Sequence, residues 1–181
     1  IDTPSGPRAV EELCDGDQLQ TRDSGAQSIE WIGSRRMTGA RLFAMPDLRP
    51  IRIRAGAFQL EKPDQEFLVS PNHRMLVKGA IARDLFNTSE VLVAAKHLVN
   101  HDTIHIQPMR RVTYHHILFD QHEVVFAEGV PSESFLPGLT IMAEDAALQN
   151  EITTLFPELV CDSDVTWNAA RCVLKSHEGR V

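Results

Sequence analysis

Short apolar runs separated by turn residues constrain this chain more than any other feature of its sequence. The clearest case is residues 67–77, in which an apolar run on each side flanks a polar turn at Pro71 and Asn72. Such runs, bounded by proline, glycine, asparagine and aspartate, are typical of buried β-strands joined by turns. Similar runs recur up to about residue 138 and predict a mostly β, sandwich-like or barrel-like core.

The pattern changes after Pro137 and Gly138. Residues 144–156 have a helix-forming composition, and their apolar positions fall on roughly one helical face. The sequence therefore predicts two parts, a β-rich domain at residues 1–138 and a helical C-terminal extension at residues 139–181.

Composition narrows the classes of function. Eighteen basic residues against twenty-five acidic ones give a net charge of -7 with no basic stripe, which argues against nucleic-acid binding. No apolar run approaches the ~18 residues of a membrane span, so none is predicted. The three cysteines are widely spaced and predict neither a disulfide framework nor a zinc knuckle. Cys14, which lies among acidic residues, is predicted to be a packing residue.

The turn between the two apolar runs carries groups that can do chemistry. Ser70 and His73 place a hydroxyl and an imidazole three residues apart, between two predicted buried strands. A short turn between buried strands is a rigid place to hold a proton donor. Taken alone, Ser-x-x-His is common, and a turn serine beside a hydrogen-bonded histidine explains it as well.

Other stretches give this turn a context. They are Val10-Glu11-x-Leu13-x-x-Gly16-Asp17-x-Leu19-x-Thr21, Ile29-x-Trp31-Ile32-Gly33, Leu68-x-Ser70-Pro71-x-His73-Arg74-Met75-Leu76, Val93-x-Ala95-Lys96-His97-Leu98 and Asp120-x-His122-Glu123-Val124-x-x-Ala127-Glu128-Gly129-x-Pro131-x-Glu133-Ser134. Together they resemble the Hint family, the Hedgehog/intein autoprocessing domains, and specifically its bacterial intein-like branch. The resemblance covers about residues 1–138.

The resemblance implies a compact, all-β, horseshoe-like fold with pseudo-twofold halves. It also implies self-directed, single-turnover chemistry. A Cys or Ser at the domain's first position attacks the preceding carbonyl, and a second nucleophile resolves the resulting thioester or ester. The substrate is then the domain's own upstream polypeptide, the acceptor is a thiol, water or another nucleophile, and no cofactor is required.

The resemblance also assigns candidate catalytic residues. The family's Thr-x-x-His box maps onto Ser70 and His73. His73 is expected to protonate the leaving amide nitrogen, and the Ser70 hydroxyl to hydrogen-bond the scissile peptide. Asp120 and His122 resemble a later acid/base box that serves the resolving step. His115 stands where inteins commonly carry an aspartate.

Two departures from the family pattern bear on function. The sequence begins at Ile1, which resembles an isoleucine that follows the family's first nucleophile. The initiating nucleophile is therefore expected to be absent and this chain inactive by itself. Glu133 and Ser134 replace the closing His-Asn of inteins, so no succinimide can form there. Hedgehog-like cleavage, rather than splicing, is the expected activity of an intact parent.

Three alternatives stay open at this point. A Hint fold without its chemistry would be a non-catalytic interaction module of a larger, exported or cytoplasmic bacterial protein. A metal site would use His101 and His105, yet their context indicates a turn and a strand, and no carboxylate or cysteine completes a set. A conventional hydrolase would use Ser70, which lacks the glycines of a nucleophile elbow. We favour self-cleavage.

Overall fold

The computed structural model describes residues 1–58, 63–79, 83, 87–136 and 168–174. Within these ranges the chain is mostly β, which confirms the predicted fold class. No helix among the described residues is long and apolar enough to cross a membrane. The predicted helix at residues 144–156, and the predicted boundary after residue 138, lie outside the described ranges. The part of the predicted extension that is described contains a short strand.

The strands of the described residues are short, apart from two of eight residues. They are β1 (Asp2–Thr3), β2 (Gly6–Pro7), β3 (Gln18–Gln20), β4 (Ala26–Ser28), β5 (Trp31–Thr38), β6 (Ile51–Ile53), β7 (Phe67–Val69), β8 (Arg74–Lys78), β9 (Glu90–Ala94), β10 (Ile104–Ile106), β11 (Arg111–Leu118), β12 (Val124–Ala127), β13 (Val130–Glu133) and β14 (Cys172–Val173). Helix α1 spans Gly39–Ala44, and 3₁₀ turns lie at Val10–Glu12, Pro46–Leu48 and Ala95–His97.

Strand pairing puts the turn at residues 70–73 where two sheets meet. The largest sheet has the order β12-β13-β8-β9-β14, and a three-stranded sheet has the order β10-β6-β7. Strand β7 therefore belongs to one sheet and β8 to the other, with the turn between them. Strands β5 and β11 form a separate antiparallel ribbon that pairs along its full length.

Two apolar clusters stabilise this part of the fold. One cluster joins the two sheets and includes Ile53, Met75 and Val130, all at most 2% exposed. Another includes Leu19 and Phe119, both fully buried. Burying an apolar side chain of this size contributes about 1.5–3 kcal/mol. The turn at residues 70–73 is therefore flanked by well-packed core residues.

The sequence pattern predicted no helix or strand for residues 34–48. There β5 continues to Thr38, and α1 follows, with the Thr38 hydroxyl accepting the Arg41 N–H at 3.4 Å. The segment packs on β11 through Tyr114, whose hydroxyl donates to the Leu48 carbonyl at 2.7 Å. The helix is therefore specified by a cap and a tertiary contact, because one short turn of helix carries little periodic signal.

The prediction that Cys14 packs in the core is wrong, because its side chain is exposed. Leu13 occupies the core instead, at 5% exposure. Leu13 has extended backbone angles. Successive side chains of an extended chain point to opposite sides, which directs Cys14 outward.

Candidate functional site

A cavity of about 530 Å³ lies beside the junction of the two sheets. Its wall includes Ser70 and His73 from the turn after β7, His116 from β11 and Glu133 from the end of β13. Ile1 also lines this cavity. The structure thus brings two of the four predicted site residues together with the first residue of the chain.

Backbone hydrogen bonds hold the turn that carries Ser70 and His73. The His73 N–H donates to the Ser70 carbonyl at 3.1 Å. The segment after β9 adds two bonds, from the Ala95 N–H to the His73 carbonyl and from the Lys96 N–H to the Pro71 carbonyl, both 2.9 Å. Ala95 and Lys96, which belong to one of the motifs that resemble the Hint family, therefore support the turn from the end of β9.

The environment of His73 keeps its imidazole neutral at ordinary pH. Burial, followed by the positive charge of Arg74, lowers the pKa of His73 to about 4. A neutral imidazole has one nitrogen that accepts a proton. Once protonated, a group with so low a pKa gives the proton up readily. His73 is therefore suited to move a proton from one reacting atom to another.

His116 is a site residue that sequence reasoning missed. Burial, followed by the charges of His73 and His115, lowers the pKa of His116 to about 3. Its ring packs edge-on against Phe135, with centroids 5.2 Å apart and an interplanar angle of 84°. The available signal was a histidine within a β-rich run at residues 111–119. His116 thus adds a second neutral imidazole to the wall behind His73.

Glu133 is a second residue missed as part of the site. Its carboxylate lies 3.0 Å from the Arg74 guanidinium and accepts the Arg74 backbone N–H at 2.8 Å. The two side chains are 10% and 13% exposed. Burial raises the pKa of Glu133, while the bonds from Arg74 oppose that rise. This ion pair ties the end of β13 to the residue that follows His73.

His122 is buried and has hydrogen-bond partners on both ring nitrogens. Its Nδ1 accepts the Ala170 N–H at 3.0 Å, and its Nε2 lies 3.2 Å from the Ser134 carbonyl and 3.9 Å from the Glu133 carboxylate. Burial lowers the pKa of His122 to about 4, with the Ser134 carbonyl opposing and Arg74 adding to the decrease. The ring is therefore neutral, with its proton on Nε2.

Asp120 lies apart from Ser70 and His73. It is exposed, two residues after the end of β11, and lines a second cavity of about 410 Å³ together with His122 and Arg171. His122 lies between the two cavities, because its Nε2 faces two residues that line the first one. The structure thus groups the four predicted residues as two pairs rather than as one cluster.

The histidines considered for a metal site do not share a helical face. His101 has a left-handed backbone conformation with φ 63°, and His105 lies on β10. Across the described ranges, no group of three or more histidine, cysteine, aspartate or glutamate side chains is placed to bind a metal ion.

Three lowered histidine pKa values predict that acid destabilises this fold. The pKa is about 4 for His73 and His122 and about 3 for His116, against 6.5 for an unperturbed imidazole. Between pH 6.5 and 4 the unfolded chain binds protons that the folded chain does not bind. The contribution of these histidines to the free energy of unfolding therefore falls as pH drops through this window and is constant above it. The raised pKa of Glu133 has the opposite sign, but it is one group against four, because burial also lowers the pKa of His115.

Urea unfolding curves at intervals from pH 7.5 to 4 measure this effect. We expect the unfolding midpoint to decrease steadily below pH 6.5, and to decrease less steeply in a His116→Gln variant. His105→Gln is the matched control, because His105 lies outside the cavity of His73. A midpoint that stays constant from pH 6.5 to 4.5 would contradict the prediction.

Comparison with known proteins identifies the fold family. The family model described as the Hint domain matches residues 1–139. The crystal structure of the MchDnaB-1 intein is similar at 14% identity, with 73% of this chain and 93% of that chain covered and a TM-score of 0.39. A variant of that intein is similar at 17% identity, with 75% and 95% covered and a TM-score of 0.40. No curated protein matches the sequence.

The family match confirms the resemblance inferred from the sequence motifs. It spans most of the chain and includes all four predicted site residues. This chain therefore belongs to the Hint domain family, with the fold of domains that process their own flanking polypeptide.

Proposed function

We propose that this domain cleaves the peptide bond on its N-terminal side through an N-to-S or N-to-O acyl shift. The observation that supports the proposal is that Ile1 shares a cavity with Ser70 and His73. The Ile1 amine donates to the Arg8 carbonyl at 2.7 Å, and the Arg8 N–H donates to the Ile1 carbonyl at 2.9 Å. In a longer protein, the polypeptide that precedes Ile1 meets the domain at this cavity.

The first step moves one proton and exchanges one bond. A thiol or hydroxyl of an upstream residue attacks the preceding carbonyl carbon, a carbon–sulfur or carbon–oxygen bond forms, and the carbon–nitrogen bond breaks. His73 takes the proton from the nucleophile and passes it to the departing nitrogen, which leaves poorly unless protonated. The Ser70 hydroxyl hydrogen-bonds the scissile peptide and polarises it.

The second step transfers the acyl group to a thiol, to water or to another nucleophile. In our proposal His122 and Asp120 assist this step, His122 beside the first cavity and Asp120 from the second. Splicing is not proposed, because Ser134 cannot form a succinimide and the Glu133 carboxylate is bound to Arg74. Each molecule reacts once, so the domain is not a multiple-turnover enzyme.

Intact mass spectrometry tests the proposal on a protein in which this chain is preceded by its natural upstream residues and a reporter. We expect slow release of the reporter, faster release with added thiol, and a reporter hydroxamate with hydroxylamine. Replacing each upstream cysteine or serine with alanine is the matched control and should abolish release. An intact protein under every condition would overturn the proposal and favour the non-catalytic interaction module.

A further inference from the structure

Residues 168–174, which we name the C-terminal strap, lie beyond the family match at residues 1–139. The strap is nevertheless part of the largest sheet. Its strand β14 runs parallel to β9, with Val173 opposite Leu92, and the Leu174 N–H donates to the Leu92 carbonyl at 3.1 Å. Nothing in the family match assigns this segment a role.

Arg171 clamps the C-terminal strap onto the domain. Its guanidinium lies 2.9 Å from the carboxylate of Glu90 and 2.8 Å from that of Asp23. The Glu90 side chain is only 14% exposed, so this pair is less screened by solvent than a surface ion pair. Ala170, the preceding residue, packs against the buried cluster that includes Leu76. Two kinds of contact thus hold this part of the strap in place.

Ala170, which precedes the clamped Arg171, brings a backbone donor to His122. The Ala170 N–H donates to Nδ1 of His122 at 3.0 Å. A ring nitrogen that accepts a hydrogen bond carries no proton, so the proton of the neutral ring lies on Nε2. Nε2 faces the Ser134 carbonyl at 3.2 Å, as a donor should.

We propose that the C-terminal strap is a positioning element for His122, which selects the imidazole tautomer through the Ala170 N–H. The opposite tautomer would aim the Nε2 lone pair at the Ser134 carbonyl oxygen, which is repulsive. The Glu133 carboxylate, 3.9 Å from Nε2, favours a proton there as well. The strap adds a second constraint on the tautomer, because the Ala170 N–H occupies Nδ1. The catalytic consequence rests on the proposed function, in which His122 serves the resolving step; the tautomer itself does not.

Nitrogen-15 NMR of the histidine-labelled full chain tests the tautomer directly. We expect an unprotonated Nδ1 and a protonated Nε2 for His122 in the wild type. Ala170→Pro removes the N–H donor, and both nitrogen shifts of His122 should then move toward those of a tautomer mixture. Ala169→Pro is the matched control, because it places the same ring one residue earlier and keeps the Ala170 N–H.

Two outcomes of the proline variants would overturn the proposal. One is an unchanged His122 tautomer in folded Ala170→Pro. The other is an equal change in Ala169→Pro, which would assign the effect to backbone rigidity. If Ala170→Pro does not fold, Arg171→Gln is measured instead. It loosens the clamp without altering the donor and should shift His122 partway toward the mixture. No shift in folded Arg171→Gln would then overturn the proposal.

The reporter-fused protein separates this inference from the proposed function. Complete loss of acid–base catalysis costs ~10²–10⁴-fold, so a partly wrong tautomer should slow thiol-independent release roughly tenfold. Hydroxylamine-trapped first-step formation should change less than twofold. If wild type releases no reporter at all, the proposed function fails and the tautomer experiment still decides the role of the strap. Equal slowing of both steps would overturn the assignment of His122 to the resolving step.

Discussion

Replacing His73 with alanine is expected to slow reporter release by about 10²–10⁴-fold, the usual contribution of a positioned general acid–base group. The expectation follows from the geometry of the turn, which holds His73 in the cavity that Ile1 also lines. The pKa of about 4 keeps the ring neutral at pH 7, which is the form that can accept the nucleophile's proton. Single-turnover release with added hydroxylamine measures this step, because the trap makes later steps fast.

The matched control for this variant is His105→Gln. His105 is also a histidine of a β-strand, but it does not line the cavity of Ser70 and His73. Its release rate should stay within twofold of wild type. Circular dichroism of both variants should show unchanged β content. A His73→Ala protein that is folded and releases the reporter at the wild-type rate would exclude His73 as the proton carrier.

Replacing Glu133 with alanine is expected to lower the free energy of unfolding by about 3–5 kcal/mol. The variant leaves the Arg74 guanidinium, whose side chain is 13% exposed, without its carboxylate. It also removes the acceptor of the Arg74 backbone N–H. Breaking one partner of a buried pair is costly, because the other charge stays buried without compensation. Urea unfolding at pH 7.5 measures the loss.

Two controls separate this effect from the loss of any carboxylate. Glu66→Ala removes an ion pair with Arg52 whose side chains are 55% and 31% exposed, and it should cost at most ~1 kcal/mol. Glu133→Gln keeps an acceptor for the Arg74 N–H and should fall between the two alanine variants. If Glu133→Ala costs no more than Glu66→Ala, the buried ion pair does not stabilise the junction of β13 and β8.

The sequence by itself determined the features that depend on neighbouring residues. Strand β9, the 3₁₀ turn after it and β10 each follow a local pattern of apolar residues and turn residues. The turn of Ser70 and His73 is equally local, because Pro71 and Asn72 interrupt two apolar runs. These stretches were also enough to indicate the Hint family, since each motif is contiguous.

Only the tertiary structure decided which side chains share a cavity. Glu133 reaches Arg74 across 59 positions of sequence, and Ala170 reaches His122 across 48. Both contacts depend on the order and register of strands in the largest sheet, where β13 pairs with β8 and β14 with β9. A periodic pattern specifies which face of a strand is buried, but not which strand lies beside it. The sequence therefore located the candidate proton carrier, and the strand pairing determined the groups that surround it.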